Sequence, residues 1–387
     1  MKKRSFLLVA GAAIILLVAA GCGTVHRARQ TRYSVVQIQR YAEQVLEPEE
    51  LELFRVPFQI NGDLAQIAMQ VNRLGRGKIQ QARELALVLL RGDNLGITYN
   101  RGRNATALEV YQTREANCIS YTNLFIGMAR SLDIEVYFAE VTEIDSFEKV
   151  GDTVVYNSHI CAIVFEGPRH YLIDFSLRDH PQYHAYRVIS DLEATASFYN
   201  NIGSHSLLDG GDPDSVETAL RYFHMALKLY PDSPQAYNNL GVLMLISGDV
   251  EEAERMFGRA LQIRPGYFAA YNNLGSIYMR RGEIDRAIRV VREAAEASPD
   301  NPYGYHTLGR LYVGIGDYEE AERAFSRALR IDRSFTEARH SLGRLYLRTG
   351  RGQEALEQFA LALRYRPDDD IARNKVEMIR RLAAEQR

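Results

Sequence analysis

From residue 61 onward the apolar positions recur at helical spacing. Leu64, Ile67, Ala68 and Val71 share one face behind an Asn61-Gly62-Asp63 cap, and Ile79, Ala82, Leu85, Ala86 and Leu89 form a second stripe. Tyr121, Leu124, Phe125, Met128 and Leu132 make a third, with Asn117 as its N-cap, so the pattern predicts a helix that Cys118 opens and that stops near Asp133. The rhythm then shortens to strand length over residues 135–142, 157–165 and 171–175. The last two are joined by a Glu166-Gly167-Pro168-Arg169 turn. Residues 144–156 read as a polar connection between strands, with room to act as a lid. Residues 92–115 carry little periodicity and are expected to cross the surface, delivering Gln112 toward Cys118. Helices followed by strands point to an α+β domain over residues 61–195. Ahead of it, residues 22–60 are mixed polar sequence with one helix around 37–45, and read as a tether.

The second half repeats itself. Leu240, Leu274, Leu308 and Leu342 stand 34 residues apart, as do Gly241, Gly275, Gly309 and Gly343. Ala253, Ala287, Ala321 and Ala355 keep the same spacing, and so do Ala260, Ala294, Ala328 and Ala362. Pro265, Pro299 and Pro367 close their units, with Arg333 where a fourth proline would fall. Tyr199-Asn200-Asn201-Ile202-Gly203 echoes Tyr237-Asn238-Asn239-Leu240-Gly241 and marks an earlier unit. This pattern resembles the tetratricopeptide repeat, which implies five helix-turn-helix units over residues 196–369 stacked into an all-α solenoid. The polar segment 370–387 fits the capping helix such an array needs. By that resemblance the first helix of each unit lines a groove, placing there Asn238, Asn272, His306 and His340, and one turn on Val242, Ser276, Arg310 and Arg344, with Arg280 and Arg348 nearby. Guanidinium forks grip carboxylates in pairs, so an acidic peptide or a chain carboxylate suits the groove. The alternative is a solvated polar face.

The chemistry lies in the α+β part. Cys118 at a helix N-terminus sits among unpaired amides and a dipole that favour an anion there. His159 falls on one predicted strand and Asp174 on the next, where cross-strand neighbours lie within about 5.5 Å. A nucleophilic thiol needs a base, and the base needs a third group to fix its tautomer. Through Asn117-Cys118-Ile119-Ser120, Ser158-His159-Ile160-Cys161 and Tyr171-Leu172-Ile173-Asp174-Phe175, this region resembles the transglutaminase-like superfamily, a branch of the papain-like fold. The resemblance implies Cys118 as nucleophile, His159 as general base and Asp174 as its orienting partner. It also implies Gln112 as an oxyanion donor, where papain-like enzymes place a glutamine six residues before the thiol. The chain has no Trp, which some transglutaminases set near the sulfur. Against this stands the reading of Cys118 as a small buried hydrophobe. Cys161, two residues after His159, is expected on the same strand face, as core packing or as partner in a regulatory disulfide.

The N-terminus places this chemistry. Lys2-Lys3-Arg4 precede an apolar run of 15 residues, too short for the ~20 needed to span a bilayer, that ends in Ala19-Ala20-Gly21-Cys22. This layout resembles a bacterial lipoprotein signal over residues 1–21. The resemblance implies a lipid on Cys22, cleavage after Gly21 and, with Gly23 following, an outer-membrane anchor facing the periplasm. Ala19 stands where that motif usually has Leu. After lipidation only Cys118 and Cys161 remain, too few for a disulfide-stapled fold and too far apart for a zinc motif. Net charge is −2, becoming −5 once the three leader cations are removed, which gives no sign of nucleic-acid binding. His180 and His184 have the spacing of a metal pair, yet Pro181 puts them in a loop. No phosphate loop, dinucleotide fingerprint or calcium loop occurs, so neither metal nor cofactor is expected. Two functions emerge. One is a lipoprotein that performs thiol-dependent acyl transfer or amide hydrolysis and recruits a protein or peptide partner through its repeats. The other is a non-catalytic outer-membrane assembly scaffold.

Overall fold

The computed structural model describes residues 9–10, 13–14, 32–72, 77–90, 95–100, 102–141, 146–150, 153–157, 159–167, 169–175, 186–209 and 213–385. Two compact units emerge, one taking in the chain up to Ser247 except residues 151–154, the other formed by those four residues and Gly248 onward. Before residue 32 only a two-residue antiparallel pair is described, β1 (Val9–Ala10) with β2 (Ala13–Ile14), so Cys22 and most of the expected leader lie outside the described residues. Among the described residues no helix is long and apolar enough to cross a membrane.

The first unit begins with α1 (Val35–Val45), opened by a reciprocal capping box between Ser34 and Gln37, and α2 (Pro48–Leu53), with proline at its first turn. Ile38, Ala42, Leu46, Phe54, Val56 and Phe58 are all buried in the main core, so residues 35–58 belong to the folded body where a tether was expected. After α3 (Gly62–Asn72) and α4 (Lys78–Leu90) comes α5 (Ala107–Thr113), set by a second capping box between Thr106 and Glu109. At the centre runs α6 (Cys118–Ser131), buried at every position from Ile119 to Ala129 because its sequence is apolar or small on all sides. Gly127 lets it approach so closely that an added Cβ would collide with the Phe58 carbonyl.

Against α6 lies a four-stranded antiparallel sheet in the order β10 (Tyr186–Ile189), β5 (Val136–Val141), β8 (Ile160–Glu166), β9 (Arg169–Ile173). Alternation divides its faces: Val136, Phe138, Ile160, Ala162, Val164 and Ile173 join the core around α6, while Tyr137, Ala139, Val141, Cys161, Ile163, Phe165 and Leu172 form a separate cluster. Short β3 (Thr98–Tyr99) and β4 (Glu115–Ala116) pair in parallel beside the start of α6. The expected polar connection contains β6 (Ser146–Val150) and β7 (Thr153–Asn157), which form a two-stranded sheet.

Three further helices complete this unit: α7 (Asp191–Asp209), α8 (Pro213–Leu229) and α9 (Pro234–Ile246). They carry the first repeat signatures, yet Tyr199, Met225, Ala226, Leu229 and Ala236 belong to the same core as α1 through α6. Polar locks reinforce the join. The Tyr199 hydroxyl donates to the Arg55 carbonyl at 2.8 Å, Lys228 pairs with Glu50 at 2.8 Å, and Gln235 donates to buried Glu140 at 2.6 Å. Arg130, near the end of α6, grips Asp191 with both guanidinium nitrogens at 2.8 and 2.9 Å, and that carboxylate also accepts the Tyr33 amide.

From Gly248 the second unit runs as successive helices: α10 (Val250–Ile263), α11 (Phe268–Arg280), α12 (Ile284–Ala297), α13 (Pro302–Ile315), α14 (Tyr318–Ile331), α15 (Thr336–Arg348), α16 (Gly352–Tyr365) and α17 (Asp370–Glu385). Each turn between paired helices passes through a left-handed glycine, Gly282, Gly316 or Gly350, as the reversal requires. The repeated Gly of each first helix sits under a large side chain of the second: a Cβ on Gly309 would lie 2.6 Å from the Phe325 ring, and one on Gly343 2.8 Å from Phe359. Ala372, Val376 and Ile379 of α17 are buried.

Candidate functional site

Cys118 is the first residue of α6, behind an N-cap whose geometry is fixed by several bonds. Asn117 Oδ1 accepts the Ser120 amide at 3.0 Å and the Ser120 hydroxyl at 2.9 Å. Because a backbone N–H can only donate, this orients the carboxamide, and Asn117 Nδ2 donates to Asn104 Oδ1 at 2.7 Å. Ser120 Oγ in turn accepts the Ala105 amide at 2.8 Å, while the Asn117 amide donates to Arg103 O. The 103–105 loop is thereby clipped to the helix tip that presents the sulfur. Sequence reasoning named Asn117 as the cap and Ser120 only as part of the motif around Cys118; the bonds of this pair to the 103–105 loop span 13 and 15 residues and have no periodic signature.

His159 stands immediately before β8, its carbonyl held by the Val141 amide at 3.0 Å. Its Nε2 lies 3.1 Å from Asp174 Oδ2, and its side chain also hydrogen-bonds Cys118. The register differs from simple cross-strand opposition: Ala162 pairs with Ile173, the ladder stops there, and Asp174 reaches the ring from just beyond the end of β9. Phe175 follows it, stacking on Tyr121 of α6 with ring centroids 5.5 Å apart.

His159 and Asp174 are buried, at 6% and 4% exposure, whereas Cys118 is only partly covered. Burial works to strip the imidazole of its proton. The Asp174 charge and hydrogen bond, with the hydrogen bond to and charge of Cys118, outweigh it and push the imidazole up to about 10. The result is a reachable sulfur facing a protonated, sheltered ring, an arrangement able to attack an acyl carbon and protonate what leaves.

The other expected residues fall as follows. Gln112 is exposed on the last turn of α5 and, among the described residues, makes no hydrogen bond to the three groups above. Cys161 is buried in the cluster on the sheet face away from α6, its thiol pushed up by burial first and then by the charges of Asp174 and Cys118; both cysteines are free. Of the groove residues, Asn238, Asn272 and His340 are buried and serve packing. Asn238 bonds Asn239, Asn272 accepts from Thr307, and His340 pairs with Asp369 at 2.8 Å. His306 is half-buried, while Arg310 and Arg344 are exposed. His180 and His184 lie outside the described residues, among which no acid, histidine or cysteine cluster fit for a metal occurs.

Comparison with known proteins agrees with both halves. The transglutaminase-like superfamily matches residues 65–172, and the C-terminal domain of cilia and flagella-associated protein 70 matches residues 203–371. Similar solved structures are repeat proteins. A thermophilic tetratricopeptide-repeat protein of Thermus thermophilus is 25% identical over 48% of this chain and 98% of its own, with a TM-score of 0.39. MamA from Desulfovibrio magneticus is 25% identical over 45% of this chain and 97% of its own, with a TM-score of 0.35. No curated protein matches the chain. The repeat assignment rests on the 34-residue spacing and the family match. The chain thus carries a transglutaminase-like domain in residues 65–172 and a tetratricopeptide-repeat domain in residues 203–371.

Proposed function

We propose that the protein is a lipid-anchored, periplasm-facing thiol acyltransferase or amidase whose repeats recruit a protein or peptide partner. The observation that carries the reading is the buried imidazole of His159, hydrogen-bonded to Asp174 and favoured in its charged form by Asp174 and by Cys118 at a helix tip. In this mechanism the Cys118 thiolate attacks an amide carbonyl carbon. The C–N bond breaks as the C–S bond forms, and the His159 imidazolium gives its proton to the departing amine. Water or an amine then attacks the thioester, His159 takes the proton of that nucleophile, and the thiolate is released. Asp174 keeps the ring oriented throughout and stabilises it whenever it carries the proton.

Selective alkylation tests the reading. An iodoacetamide probe on the purified protein is expected to label Cys118 rapidly at neutral pH, with the rate collapsing in His159→Ala. Labelling of Cys118 no faster than that of Cys161, and indifferent to His159, would instead favour the non-catalytic scaffold. The anchor, suggested by the basic and apolar leader ending at Cys22, is tested by metabolic labelling with an alkyne fatty acid. Incorporation that persists in Cys22→Ser would sink it.

A further inference from the structure

Beside the thiol of Cys118 runs a loop whose backbone is held from several directions. Arg103 O accepts the Asn117 amide at 3.3 Å, with Ser120 Oγ 3.2 Å away, and the Arg103 amide donates to Asn100 O at 3.1 Å. Asn100 is fixed in turn, its amide donating to Ala116 O at 2.9 Å and its Oδ1 accepting the Gly102 amide at 3.2 Å. The bonds that place Arg103 thus run through its main chain and leave its side chain out. Neighbouring charges are engaged: Glu109 accepts the Thr106 amide at 2.7 Å, Glu115 accepts from Asn100 Nδ2 at 3.1 Å, and Arg114 lies over the Tyr111 ring at 4.5 Å. The Arg103 guanidinium is exposed and, among the described residues, makes no hydrogen bond or ion pair.

Distance decides what this cation can meet. One hydrogen bond and the bond lengths of a single residue separate Arg103 from Cys118, so their Cα atoms lie within about 11 Å of each other. An extended peptide covers that span in about three residues. His159 and Asp174 are buried and hydrogen-bonded to each other, so neither is free to meet the flanks of a substrate held at the sulfur. A guanidinium on a fixed backbone is free to do so, and on binding only its own rotamers remain to be ordered. Its fork matches a carboxylate.

We propose that Arg103 selects the acyl donor: the substrate carries a carboxylate within about three residues of the bond that Cys118 attacks, and Arg103 binds that carboxylate. This rests on the reading of Cys118 as an acyl-accepting thiol, and it names the chemical class of substrate as acidic amides. The loop that carries Arg103 is bonded to the same helix tip that presents the sulfur, so the distance from charge to nucleophile is set by main-chain contacts. Position along the substrate follows from it.

Two measurements on the full-length protein test it. Iodoacetate and iodoacetamide react with a thiolate alike, the C–S bond forming as the C–I bond breaks and iodide leaves, but iodoacetate alone carries a negative charge. The ratio of their rates at Cys118 therefore cancels how much thiolate is present. Arg103→Gln, checked for wild-type melting, should lower that ratio about two- to fivefold at low ionic strength, and the difference should shrink in concentrated salt. An unmoved ratio would put the cation out of reach of the site. The second measurement uses p-nitrophenyl esters of acetylated glycine peptides with Glu or Gln one, two or three residues before the ester. Attack by the Cys118 thiolate forms the thioester, breaks the C–O bond and releases p-nitrophenolate, whose absorbance reports acylation. At one or more positions the Glu ester should react about tenfold faster than its Gln twin, and Arg103→Gln should bring the two rates together. Equal rates at every position in the wild type would overturn the assignment and leave thiol acylation standing. A Glu preference that survives Arg103→Gln would give the carboxylate to another group and overturn it likewise. Acylation of Cys118 by no ester would instead remove the acyl-accepting thiol, and the inference would fall with it.

Discussion

The two units are mostly helical, yet they spend their polar residues differently. In the first, charges are sunk into the body and matched to specific partners: Arg130 with Asp191, Glu140 with Arg187 and Gln235, His159 with Asp174. In the second, ion pairs such as Arg323 with Glu319 and Glu320 lie at the surface, and the interior repeats one device, a small residue under a large one. Buried pairs are costly to break and define one arrangement; surface pairs contribute little and tolerate change. A site that must hold three groups in register draws on the first strategy, and a surface free to vary its ligand draws on the second.

The sharpest way to break this contrast is at the reacting groups. Removing His159 as alanine should cut the alkylation rate of Cys118 by about 10²–10⁴-fold, read by mass spectrometry of the labelled peptide. A change of less than threefold would place the ring outside the chemistry. Next, Arg130→Ala strands the carboxylate of Asp191, which is almost fully buried, and should destabilise the first unit by about 3–5 kcal/mol in urea unfolding. Gly309→Ala forces a methyl group into the Phe325 ring and should cost the second unit about 1–3 kcal/mol, read in the same experiment. Smallest, Arg323→Ala removes exposed pairs and should shift stability by at most about 0.5 kcal/mol. If Arg323→Ala proved as damaging as Arg130→Ala, the distinction between the units would fail.

Acidity sharpens the same comparison. The imidazole of His159 is pushed from its ordinary 6.5 up to about 10, so the folded state holds a proton that the unfolded chain gives up earlier. Its contribution to stability is present in full below pH 6.5, declines as pH rises and is gone above about 10. Melting temperatures of wild type and His159→Gln measured from about pH 6 to 11 should therefore converge toward the alkaline end. A gap that stayed constant would show that the ring is not charged in the fold.

What could be read beforehand follows from this division. The repeats were legible because each poses the same packing problem 34 residues later, and Gly309 over Phe325 answers it as Gly343 over Phe359 does. Cys118, His159 and Asp174 stood out by residue type and order. The short helix α5 was missed although its signal was present, since Thr106-Ala107-Leu108-Glu109 has the form of a capping box. The folding of residues 35–58 into the core was hidden because helix amphipathicity says that a face is buried and not against what. Contacts such as Arg130 with Asp191, 61 residues apart, have no local spacing to betray them. A repeat pattern fixes where a residue recurs, while its neighbours decide whether it faces solvent, so the burial of Asn238, Asn272 and His340 could not be read from the spacing.

The shared core of α1 through α9 bears on how such a protein is inherited and dissected. Repeat arrays are often treated as cassettes, detachable wherever the sequence motif begins. Here a cut at the first motif would expose Tyr199's greasy partners, take Lys228 from Glu50 and leave buried Glu140 without Gln235. A workable fragment, or a chimera that swaps the recognition array, has to keep the chain through Ser247 and splice after it, so the opening repeats travel with the chemistry and only the later ones are free to be exchanged.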